Sequence, residues 1–426
     1  MPLALYLLGL AVFAQGTSEF MLSGLVPEIA ADLGVSVPAA GALTSAFAVG
    51  MIVGAPLTAV LGLRWPRRRA LLFFLVTFLL VHVLGAVTGS FEVLLAARVI
   101  GALANAGFLA VALATATSMV DTGAKGRATS VLLGGVTLAC VAGVPAGALL
   151  GQLWGWRSAF WAVALVSVPA VVAVARSVPA GPESAGAPSV RGELRALRGP
   201  RPAVPLAVGA LVNGATFCTF TYLAPLVTDV AGLGPAWVPA VLALFGIGSF
   251  AGVTVAGRLA DTRPLQVLLP GGTALLAGWA VLAFTAGSPV ALLVLVLVQG
   301  ALSFAVGSTV IARVLYAAAD APTLGGACAT AAFNVGAALG PWLGGAAIGA
   351  GFGYRSPLWV SALLVAAAFV VALAAAGTAH AVRRGDRGEG RPVAGLSGSR
   401  PVSGPTSPAD TDRRPGPRRQ VPRPPR

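Results

Sequence analysis

Charged and catalytic side chains are scarce in this sequence. Only 10% of its 426 residues are charged, against about 25% in soluble domains, and this excludes a soluble globular protein. The two histidines, His82 and His380, lie in different segments, and the sequence has no close pair of carboxylates and no Cys-His cluster. An enzyme needs a constellation of such groups. We therefore predict neither an enzyme nor a sensor, and no metal or organic cofactor; His82 is interpreted as a packing residue.

Cysteine is equally uninformative about redox or metal chemistry. Cys140, Cys218 and Cys328 lie in apolar segments and lack the spacing of a disulfide framework or a metal site. The first apolar segment also lacks a cationic leader and an A-x-A cleavage motif. We therefore expect it to be a retained helix and not a signal peptide.

Apolar sequence, in contrast, is abundant. Hydrophobic residues make up 57% of the chain, in twelve segments that are each long enough to cross about 30 Å of hydrocarbon. The predicted spans are approximately residues 3–26, 39–62, 70–90, 92–118, 128–151, 158–178, 204–227, 237–260, 265–287, 289–316, 324–350 and 357–378. The predicted fold class is an all-α integral membrane protein with twelve transmembrane helices.

The basic residues orient these helices. If both termini are cytoplasmic, the outer loops hold only Arg157 and Arg355. The inner loops then hold Arg64, Arg67, Arg68, Arg69, Lys125, Arg127, Arg176, Arg191, Arg195, Arg198, Arg201, Arg258, Arg263 and Arg313. This asymmetry follows the positive-inside rule, so we predict a multi-pass protein with both termini in the cytoplasm.

The chain repeats itself with a shift of 198 residues. The shift places Gln15-Gly16 on Asn213-Gly214 and Gly155–Ser158 on Gly353–Ser356. Parallel six-helix repeats with the site between them are one architecture of transporters. We predict a first half (1–178), a cytoplasmic linker (179–203), a second half (204–378) and a disordered basic tail (379–426). The tail lacks aromatic residues and is rich in Pro and Gly, which favours disorder near anionic lipid over nucleic-acid binding.

Glu19 is a carboxylate within the first apolar segment. Gln15, Glu19 and Ser23 recur at every fourth position and form one polar stripe on a helix. A charge at the bilayer centre costs about 3 kcal/mol or more, so an acid there faces water, has a partner or carries a proton. We predict a functional role for Glu19; a neutral acid that only hydrogen-bonds a neighbouring helix is the alternative.

Two loops resemble those of the major facilitator superfamily, whose inner loops carry a G-x-L-a-D-R-x-G-R-R pattern. The loop after the second helix reads LRWPRRR from Leu63, and the loop after the eighth reads GRLADTRP from Gly257. The resemblance implies that Arg64, Arg67, Arg68 and Asp261 lock the inner gate, although Leu63 replaces the acid of the first copy. Basic residues that only set topology are the alternative.

Two further helices carry motifs that resemble the same superfamily. Gly143 and Pro145 of the fifth helix resemble its antiporter motif and are implied to serve gating; generic packing of small residues is the alternative. Arg98 in the fourth helix resembles the intramembrane arginine of the family. At 1.5 Å per residue, Arg98 and Glu19 both lie roughly 10 Å below the outer surface. We predict a proton-sensitive pair; an Arg98 that binds helix carbonyls is the alternative.

Five stretches resemble the bacterial chloramphenicol-resistance exporters of this superfamily. They are Ala11–Pro27, Thr44–Met51, Ala104–Ala112, Ala142–Gly151 and Gly155–Arg157, and the similarity covers roughly residues 1–380. The resemblance implies efflux of chloramphenicol across the bacterial cytoplasmic membrane, driven by the proton gradient, with antibiotic resistance as the result. A broader multidrug or metabolite exporter is the alternative; a sugar transporter would need more polar groups than these segments contain.

Amide and aromatic side chains are the predicted substrate contacts, because drug pockets are mostly apolar with a few polar anchors. The candidates are Gln15, Asn105, Asn213, Phe217, Phe220, Tyr222, Gln299 and Asn334. Hydrogen bonding between helices is the alternative role for the amides. We expect a small-molecule drug, protons and the lipid bilayer as partners, no nucleic acid, and a monomer.

Overall fold

The computed structural model describes residues 3–61, 65–120, 125–177, 200–259, 263–317 and 322–389. Within these residues, twelve helices are long and apolar enough to cross a membrane, which confirms the predicted fold class. The seventh span was predicted to continue to residue 227, but its regular helix ends at Thr221. The fifth was predicted over 128–151, and its helical segments extend from Lys125 to Trp154.

We number the membrane helices TM1 to TM12 in chain order. They are TM1 (Leu3–Phe20), TM2 (Val37–Leu61), TM3 (Arg67–Val87), TM4 (Phe91–Ser118), TM5 (Lys125–Leu138 and Val144–Trp154), TM6 (Arg157–Ser177), TM7 (Pro200–Thr221), TM8 (Trp237–Leu259), TM9 (Pro264–Thr285), TM10 (Pro289–Ala317), TM11 (Pro322–Ala347) and TM12 (Ser356–Glu389).

Several of these helices are interrupted. TM1 passes through a 3₁₀ turn, Met21–Gly24, into a short outer helix, Val26–Leu33. The two pieces of TM5 are joined by a π turn, Ala139–Gly143, and further π turns follow TM7 and TM11 at Leu226–Val230 and Ile348–Phe352. Glycine and proline occur at or beside these sites, and they weaken a regular helix. Interruptions within a membrane are tolerated where protein surrounds the freed backbone groups.

The two six-helix halves pack as one compact unit over residues 1–377. The largest buried apolar cluster combines the helices of the second half with Phe20, Ala48, Val144 and Ala148 of the first half. The repeat is visible in the packing as well. Gly16 faces Ala139 of TM5, and its counterpart Gly214 faces Gly336 of TM11, so TM1 meets TM5 as TM7 meets TM11.

The boundaries of the predicted linker and tail differ from the observed helices. TM7 begins at Pro200, inside the predicted linker 179–203. TM12 continues to Glu389, beyond the predicted start of the tail at 379. Residues 178–199 and 390–426 lie outside the described part of the chain.

A charged brace joins three outer loops of the first half. The Arg157 guanidinium forms a 2.6 Å salt bridge with Asp32 and donates to the Thr88 carbonyl at 3.0 Å. The Trp156 indole nitrogen donates to the same carboxylate at 3.1 Å. The hydrogen bonds from Arg157 and Trp156 lower the pKa of Asp32 below its usual value. Gly155 makes the turn at a positive φ of 78°, a conformation that glycine adopts at little cost.

Replacing Asp32 with asparagine should therefore destabilise the protein in a pH-dependent way. The pair is partly exposed, 34% for Arg157 and 44% for Asp32, so we expect a loss of about 0.5 kcal/mol at neutral pH. A carboxylate whose folded pKa is lowered stabilises above its unfolded pKa and loses that contribution as the pH falls through the folded value. In urea unfolding of the purified protein, the difference between wild type and Asp32→Asn should persist at pH 5 and shrink below about pH 4.

Asp229 provides the matched control, because this outer carboxylate of the second half accepts a hydroxyl hydrogen bond from Thr228 at 2.6 Å and forms no salt bridge with any described residue. Asp229→Asn should leave the unfolding midpoint close to that of the wild type. A pH-independent loss in Asp32→Asn, or an equal loss in both variants, would contradict the brace.

Candidate functional site

A cavity of about 340 Å³ lies between the two halves. TM5 contributes one wall, and TM7, TM8, TM10 and TM11 contribute the rest. Its lining residues are Val136, Thr137, Cys140, Asn213, Thr216, Ser249, Val253, Phe304, Gly307, Ser308, Ile311 and Phe333. The surface is mostly apolar, with four hydroxyl groups and one amide. This combination suits a small, largely apolar molecule with a few hydrogen-bonding groups.

A row of aromatic rings closes one end of this cavity. Phe20 of TM1 contacts Phe217 of TM7 with ring centroids 5.7 Å apart. Phe217 and Phe220 are 6.3 Å apart, and Phe220 and Phe245 are 4.7 Å apart. Phe245 continues the row to Phe304 at 6.2 Å. The narrow space between these rings borders Cys140 and Thr216, which also line the larger cavity, so the aromatic row is its wall.

Glu19 lies beside this wall, next to Phe20 on TM1. Its carboxyl group interacts with the positive charge of Arg98 and with the side-chain amide of Asn105, both on TM4. It also lies within electrostatic range of Cys140, which lines the cavity. The structure therefore places the intramembrane acid between the cavity and TM4.

Arg98 is buried and binds the end of the regular TM1 helix. Its Nη1 donates to the Ser18 carbonyl at 3.0 Å and to the Ser18 hydroxyl at 2.9 Å. The guanidinium also lies over the Phe47 ring of TM2, 4.3 Å from the centroid. TM1 ends at Phe20, and carbonyls in the last helical turn have no helical donor. Arg98 supplies that donor and links TM4 to TM1.

The predicted Glu19–Arg98 pair is thus close but not in direct contact. Among the described residues the structure has no salt bridge between them, because the donating nitrogen of Arg98 is directed to Ser18. Arg98 Nε and Nη2 are buried without a protein partner, as are both amide atoms of Gln15. Such groups are costly to bury, so the guanidinium retains donors that a carboxylate can accept. The hydrogen bonds of Arg98 are those of the helix-carbonyl alternative; the proton-sensitive pair stays a prediction.

The predicted amide and aromatic contacts separate into two groups. Asn213, Phe217 and Phe220 lie at the cavity or its aromatic wall. Asn213 also donates to the Phe333 carbonyl at 2.7 Å. Asn105 faces Glu19 and lies 3.7 Å from the Met51 sulfur.

The remaining predicted contacts lie elsewhere. Gln299 donates to the Leu275 carbonyl at 3.1 Å, between TM10 and TM9. Asn334 donates to Thr330 of its own helix at 3.0 Å. Tyr222 is buried at a contact between the halves. None of the three lines the cavity.

The predicted gating residues are placed only in part. Arg64 and Asp261 lie outside the described residues. Arg68, at the start of TM3, donates to the Ala175 carbonyl near the end of TM6, so this contact stays within the first half. Arg67 lies in the first turn of TM3.

The two predicted gating residues of TM5 lie where the helix is interrupted. Gly143 ends the π turn and faces Thr17 of TM1. Pro145 lies in the first turn of the outer helical piece, where proline is tolerated because its missing N–H is not needed.

Contacts between the halves concentrate toward the outer side. Ser45 of TM2 donates to the Ala338 carbonyl of TM11 at 2.7 Å, and Gln152 donates to the Pro235 carbonyl at 2.6 Å. The cavity lies on the opposite side, near residues such as Val253 and Ile311 in the inner parts of TM8 and TM10. With the predicted orientation, the structure is closed to the outside and has its cavity toward the cytoplasm.

Tyr222 forms the tightest part of this outer contact. Its hydroxyl donates to the Pro341 carbonyl at 2.9 Å, and its ring fits against Gly41 of TM2 and against Gly344 and Gly345 of TM11. A Cβ at Gly41 would lie 2.8 Å from ring atoms of Tyr222, closer than carbon atoms pack. We call Gly41, Gly344 and Gly345 the glycine socket.

Sequence reasoning missed several residues of the site. Phe245 and Phe304 complete the aromatic wall, yet they occur in helices that are apolar on all faces, where periodicity carries little information. Ser249 lines the cavity as an isolated hydroxyl. His82, interpreted as a packing residue, binds the Ser18 hydroxyl at 2.6 Å; a histidine within a membrane span was the available signal.

Two pseudo-symmetric helical halves, a cavity between them and an acid beside it define a membrane transporter. The family model of the Major Facilitator Superfamily matches residues 8–327 and 241–409. The chain belongs to this superfamily and is a multi-pass protein of the bacterial inner membrane.

Relatives extend over nearly the whole membrane part. A chloramphenicol resistance protein of Streptomyces lividans is 60% identical over 375 residues, 87% of this chain and 96% of its own length. The inner membrane transport protein YdhP of Escherichia coli is 37% identical, over 82% of this chain and 89% of its own. A crystal structure of a mutant of the nucleoside transporter NupG has a TM-score of 0.69 at 14% identity and covers 87% of this chain and 99% of its own; it shows the fold alone.

Substitution of Gly41 with alanine should open the outer contact. The added methyl group meets the Tyr222 ring in the socket, and overpacking of this kind costs about 1–3 kcal/mol. We therefore expect a smaller inward-open population. Cys140 lines the cavity, so the reactivity of its thiol measures how accessible the cavity is. Replacing Cys328 with serine removes a second reactive thiol, and Cys218 is fully buried. Modification of Cys140 by a water-soluble maleimide in inside-out vesicles should slow several-fold.

Gly134→Ala is the matched control, because a Cβ at this TM5 glycine meets nothing within 4 Å. It should leave the labelling rate of Cys140 unchanged. Unchanged labelling in Gly41→Ala would show that the socket does not hold the outer side closed.

Proposed function

We propose that this transporter exports chloramphenicol from the cytoplasm in exchange for protons. The observation that carries the proposal is the intramembrane carboxyl group of Glu19 beside an aromatic-walled cavity with few hydrogen-bonding groups. The 60% identity to a chloramphenicol resistance protein over 96% of that protein's length supports the choice of substrate.

The chemistry of the drug matches that of the cavity. Chloramphenicol is uncharged and has a nitro-aromatic ring, two hydroxyls and an amide. The ring can stack against Phe217, Phe220 and Phe304, since aromatic pairs prefer tilted or edge contacts at these separations. Asn213, together with the hydroxyls of Thr216 and Ser249, can bind the polar groups. A volume of about 340 Å³ lies in the range of small-molecule pockets.

Glu19 is the proposed proton carrier, with Arg98 as its counter-charge. The neutral drug needs no cationic or anionic partner, so the acid is free to serve the proton. A protonated Glu19 is neutral and leaves Arg98 on the Ser18 carbonyl, as in this structure. An ionised Glu19 attracts the guanidinium, whose Nε and Nη2 have no hydrogen-bond partner among the described residues. The proton gradient is the proposed energy source, and the monomer is the proposed functional unit.

A broader drug or metabolite exporter is the second candidate. The observation that favours it is the lining of the cavity, in which one amide and four hydroxyls stand among apolar side chains. Such a surface imposes few directional requirements on a ligand. The substrate panel described next separates the two functions.

Expression in a sensitive host should raise chloramphenicol tolerance and lower the intracellular drug concentration. Exchange of a neutral drug for an entering proton moves net charge, so a protonophore should restore accumulation. The drug recovered from the medium should be unmodified. The same cells should be tested with other neutral antibiotics and with a sugar. Unchanged chloramphenicol accumulation, with export of another compound, would contradict the substrate while leaving the transporter intact.

Glu19→Gln should fold normally and lose uphill export. The amide keeps hydrogen-bonding capacity but cannot carry a proton. Uphill transport is measured as accumulation of the drug by proteoliposomes with an imposed pH gradient. Without a gradient, the variant should still let the drug equilibrate across the membrane. Arg98→Lys is a companion variant, because an ammonium does not reproduce the fork of guanidinium donors.

Glu92→Gln is the matched control, since Glu92 lies at the outer start of TM4, accepts from the Ser90 hydroxyl at 2.7 Å and, within the described residues, forms no salt bridge. It should transport like the wild type. Full proton-driven export by a normally expressed Glu19→Gln protein would refute the proton-carrier role.

A further inference from the structure

A continuous chain of hydrogen bonds links TM3, TM1 and TM4 within the first half. His82 of TM3 binds the Phe78 carbonyl through Nδ1 at 2.6 Å. Its Nε2 lies 2.6 Å from the Ser18 hydroxyl. That hydroxyl lies 2.9 Å from Arg98 Nη1. All the linking side chains are buried.

The two ends of the chain fix the direction of its terminal hydrogen bonds. A carbonyl oxygen only accepts, so His82 carries a hydrogen on Nδ1; a guanidinium only donates, so the Ser18 oxygen accepts from Arg98. The Ser18 hydroxyl hydrogen is then free to bind His82 Nε2. A second buried positive charge on the imidazole, beside that of Arg98, is disfavoured, so the imidazole is neutral, in its Nδ1–H tautomer.

Ser18 differs in this respect from its neighbour. Thr17 donates its hydroxyl to the Phe13 carbonyl one turn earlier, at 2.8 Å, the usual behaviour of a hydroxyl inside a helix. His82 directs the Ser18 hydroxyl hydrogen away from the helix backbone. This leaves the oxygen lone pairs of Ser18 toward TM4, where Arg98 binds them.

Two aromatic rings flank His82. Its ring lies 4.1 Å from that of Phe78 and 5.8 Å from that of Phe160 on TM6. TM1 presents Ser18 to it, and TM6 presents Phe160. The charged group that acts on it is Arg98 of TM4; among the described residues no carboxylate contacts the imidazole.

We propose that His82 is a positioning residue for proton coupling, which holds Arg98 on Ser18 and away from Glu19 while the cavity is open to the cytoplasm. This inference rests on the proposed proton-carrier role of Glu19. With Arg98 on Ser18, the Glu19 carboxyl group can hold a proton. Without the imidazole acceptor, the Ser18 hydroxyl can return to its own helix. Arg98 then keeps its bond to the Ser18 carbonyl but loses the oriented hydroxyl, and less free energy opposes its movement toward Glu19.

This movement of Arg98 has a measurable consequence for proton binding. An arginine that moves into direct contact with a carboxylate favours the ionised form. Loss of the His82 acceptor should therefore raise the proton concentration required for half-maximal export about tenfold, on the scale of one such contact. A purely structural defect would lower the maximal rate and leave that midpoint unchanged.

The tautomer can be observed directly, because the chain has only two histidines. A His380→Gln protein labelled with ¹⁵N-histidine leaves His82 as the single imidazole in the nitrogen NMR spectrum. In membranes at pH 7 we expect the neutral Nδ1–H form. A neutral Nε2–H form or an imidazolium would overturn the hydrogen-bond chain.

The transport experiment measures the pH dependence of chloramphenicol export in proteoliposomes. It compares three variants with the wild type: His82→Phe, Ser18→Ala and His82→Gln. Phenylalanine keeps the ring packing and removes the acceptor, and Ser18→Ala removes the intermediate hydroxyl. Both should move the midpoint by about tenfold in proton concentration. His82→Gln offers a carbonyl acceptor and should restore the wild-type midpoint.

Phe160→Leu is the packing control, since it removes the second ring beside His82 without changing a hydrogen-bonding atom. It should keep the wild-type midpoint. An unchanged midpoint in Ser18→Ala and in folded His82→Phe, or the same shift in Phe160→Leu, would overturn the positioning role alone. A wild type without pH-dependent export, with active Glu19→Gln, would instead overturn the proposed proton coupling and this role with it.

Discussion

The interaction on which the site depends is the bond between Arg98 and the open end of the TM1 helix. In lipid, a backbone carbonyl without a donor is costly, so an interrupted membrane helix needs a partner at the interruption. TM1 ends its regular hydrogen bonding at Phe20, and Arg98 donates to the Ser18 carbonyl. One side chain thereby stabilises the interruption, anchors TM4 against TM1 and brings a positive charge next to Glu19. The positions of the buried polar groups around Glu19 depend on this contact.

The second half uses the same scaffold for a different purpose. The 198-residue shift places Phe217 at the position of Glu19, and Phe217 reaches across to Phe20 at 5.7 Å. Where one half holds an acid, the other holds a ring that faces the adjacent residue of the first half. An acid on one half and an aromatic ring on the other therefore lie near the same cavity, at positions that the repeat makes equivalent. The two halves thus share a backbone arrangement but differ in the side chains at equivalent positions.

Sequence reasoning predicted the helices well because the bilayer fixes their length and composition. It also found Glu19, Arg98 and Asn213, since polar groups are conspicuous in apolar segments. The sequence did not predict the direction of side chains near helix interruptions or in helices that are apolar on all faces. The regular helix of TM7 ends at Thr221, and Tyr222 lies beyond that end, directed into the glycine socket. Gln299 faces TM9 in a helix without a distinct polar face. No one-dimensional pattern reveals that His82 and Ser18, 64 positions apart, share a hydrogen bond.

The outer brace of Asp32, Trp156 and Arg157 has a counterpart that is incomplete. Arg355 of the second half lies against Gly287 near the Val230 carbonyl, and within the described part of the chain it has no carboxylate partner. The first half is thus stapled across three loops, whereas the second is held there by neutral contacts. A change in the spacing of the three outer loops of the first half would therefore have to break an ion pair. The same change in the described outer loops of the second half would break none.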